Sequence, residues 1–467
     1  MMRRIAAALA IIAAIAHTPV ASAQTTQTPA SQPAEPPAFY AFAPTPPMGW
    51  NSYDAFGDTV TEEEVLANAN YAKDKLLPHG WKYIIIDFRW YDPQPTGDDR
   101  ALNRLRTGAR LASDEFGRMI PAENRFPSSA GGKGFKPLAD KMHALGLKFG
   151  FHYMRGIPRQ SVIAGTPIEG STFTAADAGD THNTCGWCPD MYGVKNNEAG
   201  QAWYDAMFKL YASWEIDFIK VDDFSNPYRT GEIEMVRRAI DKCGRPIVLS
   251  TSAGPTPVRM ADHVKTHANM WRISGDFWDT WTKLNQQFDL MNQWRDIAGP
   301  GHFPDADMIP FGHICIRSKA GGNDRPSRYS HDEQITLMSF WCLAPSPLML
   351  GGNLPDNTDA DLAMVTNDEV LAIDQDPLAK PAARVSQTAA DHTEVWVREL
   401  KGTDRAAGLF NRGDNPATVS LNADDAKLTG TWTARDVWSH QDLGPLQGKL
   451  SLTVPPHGAV LLKLTKS

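Results

Sequence analysis

The sequence predicts a (β/α)8 TIM barrel followed by a C-terminal antiparallel β-sandwich domain. Between residues 40 and 375, short runs that are apolar throughout alternate with longer stretches of helical periodicity. That alternation suits a parallel sheet covered by helices. The unit recurs over a length that fits eight strands with long loops better than a doubly wound sheet. No Gly-rich phosphate fingerprint follows any strand, which lowers the dinucleotide-binding alternative. Near residues 377–381 the pattern changes to short alternating runs separated by turn residues.

Residues 1–23 read as a secretory signal. Arg3 and Arg4 precede an apolar run from Ile5 to Ile15, and Ala21-Ser22-Ala23 places small residues for cleavage before Gln24. The run is short for a bilayer span, so a membrane anchor is the weaker reading. Residues 24–38 form a Pro/Thr/Gln-rich linker with nothing to pack.

The barrel is expected over residues 39–380. YIIID (83–87), LKFGFH (147–152), FIKVD (218–222) and PIVLS (246–250) read as strands that turn polar at their ends. LMLGG (348–352) reads as a late strand leaving into a Gly turn. Thr61 and Glu64 form a capping-box pattern that opens the helical stretch EEVLANANYAKDKLL. Residues 201–214 and 231–243 carry further helical periodicity.

The sandwich is expected over residues 381–467, from the runs TEVWV, RAAGLFN, TWTARDVW and GAVLLKL. Trp396, Trp432 and Trp438 are read there as core or interdomain packing rather than a sugar platform, because alternation alone accounts for them.

The chain has 467 residues and a net charge of −8. Removing residues 1–23 takes away Arg3 and Arg4 and no acid, which moves that charge to −10. This balance argues against nucleic acid and anionic lipid as partners and permits a neutral sugar. With the signal removed no membrane span is expected, and the location is secreted or periplasmic. The oligomeric state is not legible, and no cofactor is implied.

Five cysteines remain: Cys185, Cys188, Cys243, Cys315 and Cys342. Cys185-Gly-Trp-Cys188 is a candidate small disulfide loop in an oxidising compartment. A thioredoxin-like pair would need a strand before it and a helix after it. Zinc would need a second pair at ligand spacing.

In a barrel the carboxyl ends of the strands face the active site. The polar residues at those ends are Asp87, His152, Lys220, Asp222, Asp223, Ser250, Arg272 and Asp276, with Asp305 and Asp307 expected at the seventh strand. Lys220 and Asp222 are two apart and share one face. A charge pair between them would keep Asp222 ionised, as a glycosidic nucleophile requires. A plain salt-bridge network at the barrel rim is the competing reading. Asp223 points the other way and is read as structural.

Asp276 is the candidate general acid/base. Phe277, Trp278 and Trp281 are expected to form an apolar wall that raises its pKa. Arg272 would clamp a sugar hydroxyl or Asp276 itself; Asp279 is a weaker substitute for Asp276 and reads first as a surface residue or helix cap. Two such carboxyl groups would act by double displacement, which needs them about 5–5.5 Å apart. A metal-dependent hydrolase using Asp222, Asp223, Asp305 and Asp307 is weakened because Lys220 competes for that charge. Trp50, at the end of the first strand, would pack on a pyranose face or sit in the core.

TPPMGWNS, YIIID, FIKVDD, WRISGD and DADM, in this order, resemble the α-galactosidase and α-N-acetylgalactosaminidase family, glycoside hydrolase family 27. The resemblance covers residues 42–375 and extends to the C-terminal β domain. It implies a retaining exo-glycosidase that removes terminal α-D-galactosyl residues from an oligosaccharide or glycoside. The nucleophile then falls on Asp222 and the acid/base on Asp276. Lys220 falls where the 3- and 4-hydroxyls are held, Arg272 near the 2-hydroxyl and Trp50 at the pocket wall. Asp307 and Ser252 are further expected substrate contacts, and His152 and Arg155 would either touch substrate or stabilise their loop. Ser252 lies in a stretch where the family's galactosidases carry a glutamate and a tryptophan.

One position departs from the family. Its paired aspartates grip the 4- and 6-hydroxyls; here the first is Asp87 and the second is Phe88. Phenylalanine removes an acceptor for the 6-hydroxyl and adds bulk. β-L-Arabinopyranose is α-D-galactose without its exocyclic hydroxymethyl, so β-L-arabinopyranosidase is the alternative to α-galactosidase. Another α-glycosidase, or a carbohydrate-binding protein on an inactive barrel, are the remaining readings.

Overall fold

A computed structural model describes residues 35–97, 110–390 and 392–467. The expected signal and most of the expected linker lie outside the described residues. The chain is described from a short 3-10 helix, Ala38–Phe42, that buries Phe39.

Eight parallel strands form the main sheet: β1 Met48–Asn51, β2 Tyr83–Ile86, β3 Lys148–Met154, β4 Phe218–Asp222, β5 Val248–Thr251, β6 Met270–Arg272, β7 Phe303–Asp305 and β8 Leu348–Leu350. Their order is β7-β6-β5-β4-β3-β2-β1-β8. A parallel bridge between Ile309 and Leu350 joins the two ends into a barrel. Ile309 N donates to Met349 O at 2.7 Å, and Gly351 N donates back to Ile309 O at 3.0 Å.

A helix follows each strand: α1 Glu62–Tyr71, α2 Lys136–Ala144, α3 Glu198–Ser213, α4 Thr230–Lys242, α5 Ala261–Lys265, α6 Trp281–Trp294, α7 His331–Leu343 and α8 Asp368–Asp374. The Thr61–Glu64 capping box is formed at the start of α1. It satisfies orphan amides of the first turn reciprocally. Strand β3 runs two residues past the expected end, and β5 starts two residues late.

Strand parity explains what the barrel holds. Tyr83, Ile85, Phe218, Val248, Met270, Phe303 and Met349 form a buried cluster of their own, the plug of the barrel. Ile84, Ile86, Ile219, Val221, Leu249 and Trp271 point outward into the larger core beneath the helices. Continuing the inward parity toward the carboxyl ends gives Asp87, Lys220, Asp222, Ser250, Ser252, Arg272, Asp305 and Asp307. The same sheet face therefore changes from an apolar plug to a polar layer within one turn of the pleat.

Between β3 and α3 the chain makes an excursion that the sequence did not reveal. Three short strands, Ile157–Pro158, Met191–Val194 and Gly179–Thr184, pair antiparallel in that order. Arg89 holds the excursion by donating from Nε and Nη2 to Asp190 at 2.8 Å each. A bidentate pair of this kind fixes orientation as well as distance.

The C-terminal domain is an antiparallel β-sandwich. One sheet contains β9 Ala383–Thr388, β10 Thr393–Glu399, β11 Arg405–Asn411, β13 Trp432–Asp436, β14 Gln441–Pro445 and β16 Ala459–Lys466. Its order is β9-β10-β11-β16-β13-β14, and β12 Ala417–Asn422 pairs with β15 Lys449–Val454 in the other sheet. Trp396 packs edge-on against Phe340 of α7 at 5.2 Å, and Phe340 stacks on Phe288 of α6 at 4.0 Å. Trp438 donates to Ser339 Oγ at 2.8 Å, and Trp432 is buried in the sandwich core. These tryptophans pack the core and the domain junction. Among the described residues no helix is long and apolar enough to cross a membrane.

Candidate active site

A cavity of about 550 Å³ opens at the carboxyl ends of the strands. Asp87, Phe88, Lys220, Asp222, Ser252, Arg272, Asp276 and Asp307 all line it. They come from β2, β4, β5, β6 and β7 or the turns just beyond them. Tyr53, Asp54, Asn226 and Trp187 also line it and were not singled out in the sequence, whereas Trp278, which lines it too, was expected beside Asp276. Tyr53 and Asp54 directly follow β1, so the strand-end rule contains the signal for them. Trp187 is carried in by the excursion, for which the sequence offers no such signal.

Charge is arranged here in two buried clusters. In the first, Lys220 Nζ donates to Asp87 Oδ2 at 2.9 Å, and Asn51 Nδ2 donates to the same oxygen at 2.6 Å. The Phe88 amide donates to Asp87 Oδ1 at 2.8 Å. Burial works against the Asp87 carboxylate, but Lys220 and His152 outweigh it and hold its pKa below the usual range. Lysine 220 was expected to pair with Asp222; its direct partner is instead Asp87. The near partner of Asp222 is His152, with Nε2 3.0 Å from Oδ2. Burial disfavours ionisation of Asp222, yet His152 and Lys220 together hold it far below the carboxylate range.

In the second cluster, Arg272 Nη2 lies 2.7 Å from Asp307 Oδ2 and 3.4 Å from Asp276 Oδ1. Asp307 also accepts the Phe277 amide at 2.8 Å, and its own amide donates to Asp305 Oδ1 at 2.9 Å. Burial pushes Asp307 up to about 6, against the pull of Arg272 and with the push of Asp276. Asp276 itself stands in the loop four residues past the end of β6, and its side chain is 59% exposed. The apolar wall expected around it does not enclose it. Phe277 is turned into the core, and Trp281 lies on α6, stacked on His457 at 3.8 Å.

Several expected placements are corrected. Trp50 has the outward parity of β1, so it is buried beneath the helices and donates from Nε1 to Gly352 O at 2.8 Å. The aromatic ring that its motif presents to the cavity is Tyr53. His152 is fully buried behind Asp222. Asp279 is buried as well; it accepts from Arg325 and from the Arg328 amide at 2.8 Å. Cys185 and Cys188 are free, buried thiols. Burial raises Cys185 to about 11 and holds Cys188 well above the ordinary thiol value, while nearby backbone amides engage both sulfurs.

Asp223 has a positive φ of 63° and turns away from the cavity. Arg155 Nη2 meets it at 2.6 Å and reaches Glu232 at 2.8 Å through Nη1. Arg155 therefore braces the excursion.

The family pattern described as alpha galactosidase A matches residues 176–376, and the alpha galactosidase C-terminal beta sandwich domain matches residues 390–464. The chain is 28% identical to an alpha-galactosidase of Oryza sativa subsp. japonica, over 90% of this chain and 85% of that protein. It is 29% identical to an alpha-galactosidase of Coffea arabica, over 90% of this chain and 94% of that one. Among solved structures, it is 45% identical to a family 27 β-L-arabinopyranosidase from Geobacillus stearothermophilus in complex with arabinose. That match has a TM-score of 0.88 and covers 92% of this chain and 99% of the other. Its sequence, its two-domain fold and the acidic cavity on the barrel make this chain a glycosidase of glycoside hydrolase family 27.

Proposed function

We propose that this enzyme removes terminal β-L-arabinopyranosyl residues by a retaining double displacement. The observation that carries the reading is Phe88. It follows Asp87 at the cavity wall, with its ring 5.3 Å from His152 and 5.5 Å from Trp187. A hydroxymethyl group directed at this corner would lose a hydrogen bond to water and find aromatic carbon in its place. An unmet hydroxyl of this kind costs about 1–3 kcal/mol. A pentopyranose has only hydrogen there and loses nothing. The similarity to the G. stearothermophilus enzyme supports the same glycone.

The charge clusters suit the chemistry. Asp222 is held ionised at the cavity floor, as a nucleophile toward the anomeric carbon must be. Asp276 reaches solvent at the rim, where it can protonate the leaving oxygen and then deprotonate the attacking water. Lys220 with Asp87, and Arg272 with Asp307, offer donors and acceptors on two sides of a ring seated over Asp222.

The alternative is α-galactosidase, the activity named for the rice and coffee relatives. Proton NMR of the first-formed sugar tests the stereochemistry, with retention expected and inversion contradicting the mechanism. Azide should rescue Asp222→Ala as one glycosyl azide anomer and Asp276→Ala as the other. Equal activity of both variants and the parent would remove Asp222 and Asp276 from the reaction.

A further inference from the structure

Asp54 has a buried carboxylate that the reaction just described does not use. It lies in the turn that follows β1, lines the cavity and is 1% exposed. Among the described residues its Oδ2 is buried with no hydrogen-bond partner. The surrounding backbone is built around this side chain. The Asp54 carbonyl accepts the Cys315 amide at 2.7 Å, which fixes the turn. Gly351 packs directly on the carboxylate, and a Cβ at that position would sit 2.0 Å from Oδ2. Glycine there leaves the room that the carboxylate occupies.

The charges that act on Asp54 are Asp307 and Asp276 from one cluster, and Lys220 and Asp87 from the other. Residues of both clusters line the same cavity as Asp54. Burial, with three of these four neighbours, also raises its pKa well above the carboxylate range. An unpartnered buried carboxylate is costly to the fold, and such groups persist where a ligand completes them.

We propose that Asp54 is a substrate-binding residue. It accepts a hydrogen bond from the ring hydroxyl of the terminal sugar that lies between Lys220–Asp87 and Arg272–Asp307. This rests on the reading of the cavity as the glycone site. A hydroxyl is the fitting donor because Lys220 and Arg272 already supply the cationic charge of the site.

The test uses the full-length enzyme and its Asp54→Asn and Asp54→Ala variants. Nitrophenyl β-L-arabinopyranoside and α-D-galactopyranoside are the substrates, and calorimetry measures binding of the sugar released from the better one. Both variants should lose at least tenfold in kcat/KM and bind that sugar at least tenfold more weakly. Asp54→Asn keeps the shape and removes the buried ionisable group, so its Tm should equal or exceed that of the parent. A merely structural role would lower Tm and leave the sugar affinity of the folded protein unchanged. That result overturns the proposal, as does kcat/KM within twofold of the parent for both variants. If Asp54→Ala does not fold, Asp54→Asn decides by the same readings. A parent inactive on both glycosides would instead overturn the glycone reading and this proposal with it.

Discussion

The imidazole of His152 and the carboxylate of Asp222 meet at 3.0 Å, both buried, on adjacent strands β3 and β4 that place the two residues two positions apart in register. Their contact opposes the burial penalty that would otherwise protonate Asp222. His152→Phe removes the opposing group. The Asp222 pKa then rises, and the acid limb of the kcat/KM profile moves to higher pH by about one unit or more, equivalent to about 1.4 kcal/mol. A profile that keeps the parent's acid limb would show that Lys220 alone holds Asp222 ionised.

Phe88 separates the two glycones. Phe88→Asp restores the paired carboxylates and an acceptor for a 6-hydroxyl. The ratio of galactoside to arabinopyranoside kcat/KM should rise by roughly 10- to 100-fold, the worth of one buried hydroxyl contact. The paired nitrophenyl assay reads it directly, and an unchanged ratio would mean that other residues set the preference.

Asp374, at the end of α8, is a buried acid beside Arg398 whose pKa is pushed up to about 8 by burial, against the pull of Arg398. Its folded pKa lies above the unfolded value. The folded state thus binds the extra proton, and stability falls as pH rises from about 4 to 8. Asp374→Asn should lose this part of the fall. Its Tm should match the parent near pH 4 and exceed it by a growing margin up to about pH 8, above which the parent carries the buried charge. Parallel Tm curves would contradict the assignment.

All five cysteines are free thiols, and four of them are buried. A thiol reagent should therefore titrate little beyond Cys243 in the native enzyme and all five after unfolding without reductant. Three thiols after unfolding would mean that one pair had closed, with Cys185 and Cys188 the first to check.

The barrel was legible because strands buried on both faces read as continuous apolar runs. Parity then carried the reading on to Asp87, Lys220, Asp222, Arg272 and Asp307. Trp50 went astray because a strand-end position alone does not say which face a side chain takes; its odd neighbour Asn51 faces inward and contacts Asp87. The pairing of Lys220 with Asp87 was hidden because it crosses between strands that are not adjacent in sequence. Asp276 was expected to be enclosed by its neighbours Phe277 and Trp278, but a loop past the strand end has no parity and leaves it at the rim. Trp187 arrives on a long excursion whose path depends on Arg89–Asp190 and Arg155–Asp223, contacts between distant parts of the chain. Local pattern could not show these.

The ratio of kcat/KM on nitrophenyl β-L-arabinopyranoside to that on nitrophenyl α-D-galactopyranoside, measured on the parent enzyme, tests the central claim most directly. With Phe88 closing the corner beside Asp87, the pentoside should be preferred by at least tenfold. Equal or better hydrolysis of the galactoside would contradict the account and place the 6-hydroxyl in contact with other residues.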